Sequence, residues 1–79
     1  MKQIIDGKIY DTDKMSVIYE APSTGPTFWK SEKGTYLRKG YGYADDIYLH
    51  IVTEEYFKEY LARTNPNKYI ELFGEVEEG

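Results

Sequence analysis

The sequence predicts an α+β fold: a small antiparallel β-sheet of four to six short strands within residues 2–51, followed by two C-terminal helices at 54–64 and 66–73. Three observations predict it. Up to Ile51, β-branched and aromatic residues cluster in short runs separated by Gly, Pro and Asp turns, the pattern of short strands. After Thr53 the apolar spacing changes to a helical stripe. Nine Tyr, three Phe and one Trp, 16% of 79 residues, carry enough apolar area per residue to build a core without disulfides or metal.

The first strands are expected at 2–5 and 8–11, joined by Asp6-Gly7. A type I′ turn needs positive φ at both central positions, and Asp-Gly tolerates that best. Asp11-Thr12-Asp13 ends the pair, because Asp side chains bond nearby backbone N–H groups and turn the chain. Ser16 to Glu20 is a third β-prone run, broken by Ala21–Pro26. Thr27–Lys30 and Thr35–Arg38 form a second hairpin around Ser31-Glu32-Lys33-Gly34, a loop that suits a type I turn followed by a left-handed Gly34. Lys39–Tyr43, with its two glycines, is read as a loop, and 46–51 as the last strand.

Thr53 is a good N-cap for the first helix, and Glu54 and Glu55 complement its positive end. Tyr56, Phe57, Tyr60 and Leu61 make its apolar stripe, while Lys58, Glu59 and Arg63 face water. Asn65-Pro66 supplies the cap and N1 position of the second helix. Tyr69, Ile70 and Phe73 are its buried stripe and Gly74 its C-terminal stop. Both stripes are expected to pack on Ile4, Ile9, Val17 or Ile18, and Leu37. Glu75–Gly79 reads as a frayed acidic tail, and no linker divides the chain, so 1–79 is expected to be one domain.

Composition excludes several functions. With no Cys there is no thiolate zinc site, and with one His there is no multi-histidine metal centre. No apolar run approaches the ~20 residues of a membrane helix, and no signal peptide opens the chain. The expectation is a cytoplasmic protein with no membrane partner. Fourteen acids oppose ten bases, for a net charge of −4, but unevenly. Residues 1–44 hold seven bases and five acids, and residues 45–79 three bases and nine acids. A dipolar surface follows, basic on one side and acidic on the other.

Lys8-Ile9-Tyr10-Asp11-Thr12-Asp13-Lys14, the Phe28-Trp29-Lys30 to Gly34-Thr35-Tyr36 hairpin and the closing Phe73-Gly74-Glu75-Val76-Glu77-Glu78 resemble a family of small proteins encoded by phages and mobile elements of Gram-positive bacteria. Its usual members carry Lys-Ile/Leu-Tyr-Asp-Thr-Asp/Glu early and end near Phe-Gly-Glu-Val-Glu-Glu. Here Lys39–Tyr43 stands where the family has a Gly-rich loop, and the 21–26 linker is short. Some relatives look like type II anti-CRISPR proteins. The resemblance implies a counter-defence protein that inhibits a CRISPR–Cas9-type effector without catalysis. Its partner would be the bacterial immune effector, the guide RNA, or both.

The residues themselves leave three readings open. In the first, acids of the C-terminal half, Glu54, Glu55 and Glu59 among them, imitate phosphates and occupy a basic groove on that effector. In the second, Lys30, Lys33, Arg38 and Lys39, interleaved with Tyr41 and Tyr43, form a small RNA- or anion-binding module. Bases would stack on the rings while phosphates meet the cations. Alternation along a strand puts Phe28 and Lys30 on one face and Trp29 on the other, and pairs Tyr36 with Arg38. In the third, Asp11 with Asp13, or Asp45 with Asp46, holds a divalent metal for nuclease-like chemistry. Two acids in a turn are more often caps. His50, the only imidazole, lies in a strand, and no motif links it to Ser16, Ser23 or Ser31 as a nucleophile. No catalytic set, cofactor or metal site is expected.

Overall fold

The computed structural model describes residues 1–22, 25–41 and 47–79. They form an α+β fold of six strands and two helices: β1 (Lys2–Ile5), β2 (Lys8–Asp11), β3 (Ser16–Glu20), β4 (Thr27–Lys30), β5 (Tyr36–Tyr41), β6 (Ile47–Val52), α1 (Glu54–Thr64) and α2 (Pro66–Phe73). β3 to β6 make a four-stranded antiparallel sheet in chain order, and β1 and β2 a separate two-stranded one.

Local chemistry sets the boundaries. Asp6 and Gly7 have φ of 51° and 77°, the positive values that a type I′ turn requires. The β4–β5 turn closes by Gly34 N–H donating to Ser31 O at 2.9 Å, with Gly34 at φ 90°. The Thr53 hydroxyl accepts from Tyr56 N–H at 3.0 Å, and Asn65 Oδ1 accepts from Lys68 N–H at 3.1 Å. Each cap satisfies a helix-terminal donor that has no partner within its helix. Gly74, at φ 98°, donates its N–H to Ile70 O and stops α2.

The large sheet is buried on both faces, so the fold has three layers. On one face Phe28 packs with Phe57 and Leu61 of α1, at 0%, 1% and 0% exposure. Tyr36 and Val52 of the sheet and Tyr69 and Phe73 of α2 surround them. The Phe57 ring centroid lies 4.8 Å from Phe28, 5.7 Å from Tyr36 and 6.0 Å from Phe73. Fully burying each of the three central side chains contributes about 1.5–3 kcal/mol. A β-bulge between Val17 and Tyr19 lets Ile18 and Tyr19 both join this core.

On the other face Trp29, Leu37 and Leu49 pack against Ile5 and Tyr10 of the small hairpin and Met15. Gln3 ties that hairpin to β6: its Oε1 accepts from Leu49 N–H at 2.7 Å and its Nε2 donates to Ile47 O at 3.3 Å. The side-chain amide takes the place of a neighbouring strand on part of this edge.

This layering corrects several expectations. Leu37 is buried, but beneath the hairpin instead of the helices. Ile4 and Ile9 face each other across β1–β2 on its outer surface and are 72% and 66% exposed. Val17 is exposed too, leaving Ile18 as the β3 residue in the helix-side core. Tyr56 and Ile70, at the margins of their stripes, are 43% and 39% exposed. Lys58 is half-buried rather than fully solvated; it pairs with Glu54 at 3.3 Å and lies over the Phe73 ring. Lys39, Gly40 and Tyr41, read as loop, extend β5, pairing in register as far as Tyr41 with Ile47. Glu75–Gly79 follow α2 without regular structure.

Candidate functional site

The pleat divides the basic and aromatic residues of the β4–β5 hairpin among different surfaces. Lys30 pairs with Tyr36 and Arg38 with Phe28, so both bases stand on the helix side of the sheet. Lys30 Nζ lies 5.3 Å from the centre of the Tyr36 ring, a cation–π contact. Lys39 pairs with Leu49 and stands on the hairpin side. Lys33 sits in the β4–β5 turn. Tyr41 is the last residue of β5. Tyr43 lies outside the described residues, as do Asp45, Asp46 and Ser23.

Lys33 finds new neighbours instead. A cleft of about 650 Å³ separates the β4–β5 turn from the small hairpin and the segment after it. Lys2, Lys8, Lys14 and Lys33 line it, against two acids, Asp11 and Glu32. The side chain of Tyr10 forms part of the wall, held there because it also packs on the Trp29–Leu37–Leu49 core. Three of these four lysines were not singled out by the sequence pattern. They are scattered over residues 2–14 and converge on Lys33 only because the hairpin folds back onto the sheet. The excess of bases before residue 45 was their visible signal.

A second cationic place lies on the helix side, near the end of the β5–β6 ladder. Arg38 pairs with His50 and Gly40 with Tyr48, and the two rings meet at 4.5 Å in an edge-on arrangement. Gly40 makes room for them: a Cβ there would lie 2.7 Å from His50 Cδ2 and 3.2 Å from Tyr48 Cε2. Arg38 is half-buried, and its Nε is fully buried with no hydrogen-bond partner among the described residues. An unsatisfied buried donor of this kind costs about 1–3 kcal/mol.

The acids are less organised. Glu54, Glu55 and Glu59 are all exposed on α1. Glu54 is engaged with Lys58, and Glu55 and Glu59, one turn apart, share the outward stripe opposite Phe57 and Leu61. Asp11 accepts the N–H of Asp13 at 3.0 Å, so this pair caps the turn at Thr12–Lys14. Among the described residues no group of three or more His, Asp or Glu is placed to hold a metal ion. No helix among them is long and apolar enough to cross a membrane. No protein-family model matches the chain, and no curated protein and no solved structure matches it.

Proposed function

We propose that this chain is a binding protein whose lysine-rimmed cleft grips a phosphate-rich partner. The resemblance to small phage and mobile-element proteins points to the guide RNA of a CRISPR–Cas9-type effector as that partner, and to inhibition of effector assembly as the result. One observation carries the reading. A chain of net charge −4 gathers Lys2, Lys8, Lys14 and Lys33 around one concave surface. Even against Asp11 and Glu32 the lysines are in excess by two, and folding alone gives no reason to gather that excess on one cleft. A polyanion that releases its condensed counterions on binding does. The exposed stem of each lysine adapts to a flexible backbone, which suits single-stranded RNA better than one fixed carboxylate.

The salt dependence tests it. Four phosphate contacts to single-stranded RNA give a slope of about −3 in log K against log salt, so affinity should fall about 50-fold between 50 and 200 mM salt. Reversing Lys8 and Lys14 to Glu, both exposed, should weaken binding at least ~tenfold, reduce the slope by about 1.4 and leave the far-UV circular dichroism unchanged. In a Cas9-type cleavage assay, the parent protein should inhibit when added before guide loading and the reversed variant should not. Salt-insensitive RNA binding, or full cleavage at saturating protein, would reject the reading.

A further inference from the structure

We propose that Arg38, Tyr48 and His50 form a second site, which takes a nucleotide unit: an aromatic base against the two rings and a phosphate on the guanidinium. It is separate from the lysine cleft. The cleft opens beside the small hairpin, whereas the register of Arg38 with Phe28 and of His50 with Arg38 puts this site on the helix side of the sheet.

Three observations converge on it. First, Arg38 is half-buried, makes no ion pair among the described residues, and keeps an orphaned Nε. The chain has fourteen acids, yet none of those described is spent on this arginine. A guanidinium is a planar fork matched to phosphate, and it is weakly hydrated enough to sit half-buried until an anion arrives. Second, the imidazole of His50 is exposed and stands edge-on to Tyr48 at 4.5 Å, so the rings form a corner with aromatic surface open to solvent. A base stacks on such a surface whatever its sequence, because every base has a π-face. Third, the corner depends on Gly40. Any side chain there would meet His50 Cδ2 at 2.7 Å and Nε2 at 3.1 Å, so glycine keeps the rings lying across the strand beside Arg38.

His50 is the chain's single histidine, so its imidazole proton resonances report on the site without further assignment. At fixed pH, titration with uridine monophosphate should shift them saturably. Uridine, which lacks the phosphate, and inorganic phosphate, which lacks the base, should each bind at least ~tenfold more weakly. Arg38→Gln should weaken uridine monophosphate by ~tenfold or more, and Arg38→Lys, which keeps the charge without the fork, should recover only part of the loss. The Lys8→Glu, Lys14→Glu variant should bind the nucleotide like the parent, which separates this site from the cleft. No shift at millimolar uridine monophosphate overturns the proposal. So does an equal affinity for inorganic phosphate, which would leave a simple anion site, and so does an unchanged titration in a folded Arg38→Gln protein.

Discussion

Phe57 and Tyr56 are neighbours on one apolar stripe in the sequence, yet the structure gives them opposite weights. Phe57 is 1% exposed and touches three rings, at 4.8, 5.7 and 6.0 Å between centroids. Tyr56 is 43% exposed and, among the described residues, has one ring neighbour, Phe28, at 6.4 Å. Truncating a buried Phe to Ala costs about 3–5 kcal/mol. A chain of 79 residues has a total stability of only about 4–12 kcal/mol. Phe57→Ala should therefore remove about a quarter of the stability at least, and at the marginal end unfold the protein outright. Phe57→Leu keeps much of the volume but loses the ring pairs, and should cost about 1–2 kcal/mol. Tyr56→Ala should cost about 1 kcal/mol or less, since most of what it loses was already wet. Urea unfolding followed by the fluorescence of Trp29, itself 9% exposed, ranks the three. With an m-value of about 1–3 kcal/mol/M, the Phe57→Ala midpoint should fall by 1 M or more. Tyr56→Ala as damaging as Phe57→Ala would refute the assignment of the helix face.

Three further outcomes follow from single contacts. Gly7→Val should cost about 1 kcal/mol or more, because Gly7 sits at φ 77° with open space around it, so the penalty is backbone strain alone; a thermal melt lowered by ~4–8 °C would register it. Gln3→Leu leaves the half-buried Leu49 N–H without its acceptor and should cost about 1–3 kcal/mol, with faster hydrogen exchange at that amide. Thr53→Ala removes the α1 cap and should cost about 1 kcal/mol, whereas Thr53→Ser should be nearly neutral; equal melting temperatures for both would show that the cap contributes nothing.

What the sequence reveals here is what local chemistry decides. The Asp6-Gly7 turn, the Gly34 turn, the Thr53 and Asn65 caps and both helix spans are legible because each depends on residues within a few positions of one another. The layer arrangement is not local. Whether Leu37 lies under helices or under a hairpin depends on which face of the sheet each flanking element covers, and alternation gives the two faces without saying what covers either. Ile4 and Ile9 look like core residues because a β-prone run of isoleucines has the same signature on either face of a two-stranded pair. Lys39–Tyr41 looks like loop because Gly40 disfavours a strand, and only the rings of Tyr48 and His50 across the ladder explain why a glycine is needed within one.

The division of charge among the faces of the fold determines how the binding surfaces have to be probed. Lys30, Lys33, Arg38 and Lys39 are close in sequence, and reversing all four at once is the natural first variant. In the fold they belong to different environments. Lys33 rims the cleft, Arg38 stands beside His50, Lys30 covers the Tyr36 ring, and Lys39 points to the hairpin layer. A fourfold reversal would change both proposed surfaces and break a cation–π contact, so a loss of binding could be assigned to none of them. Variants grouped by face separate the effects. Lys33→Glu with Lys8→Glu should flatten the salt dependence of RNA binding, reducing the slope by about 1.4 for two lost phosphate contacts. Arg38→Gln alone should leave that slope within about 0.7 of the parent, the value of a single contact, while removing the nucleotide response at His50. Identical slopes for the two variants would mean that the cleft and the Arg38 corner do not act as separate surfaces, and the division of charge by the pleat would then have no functional meaning.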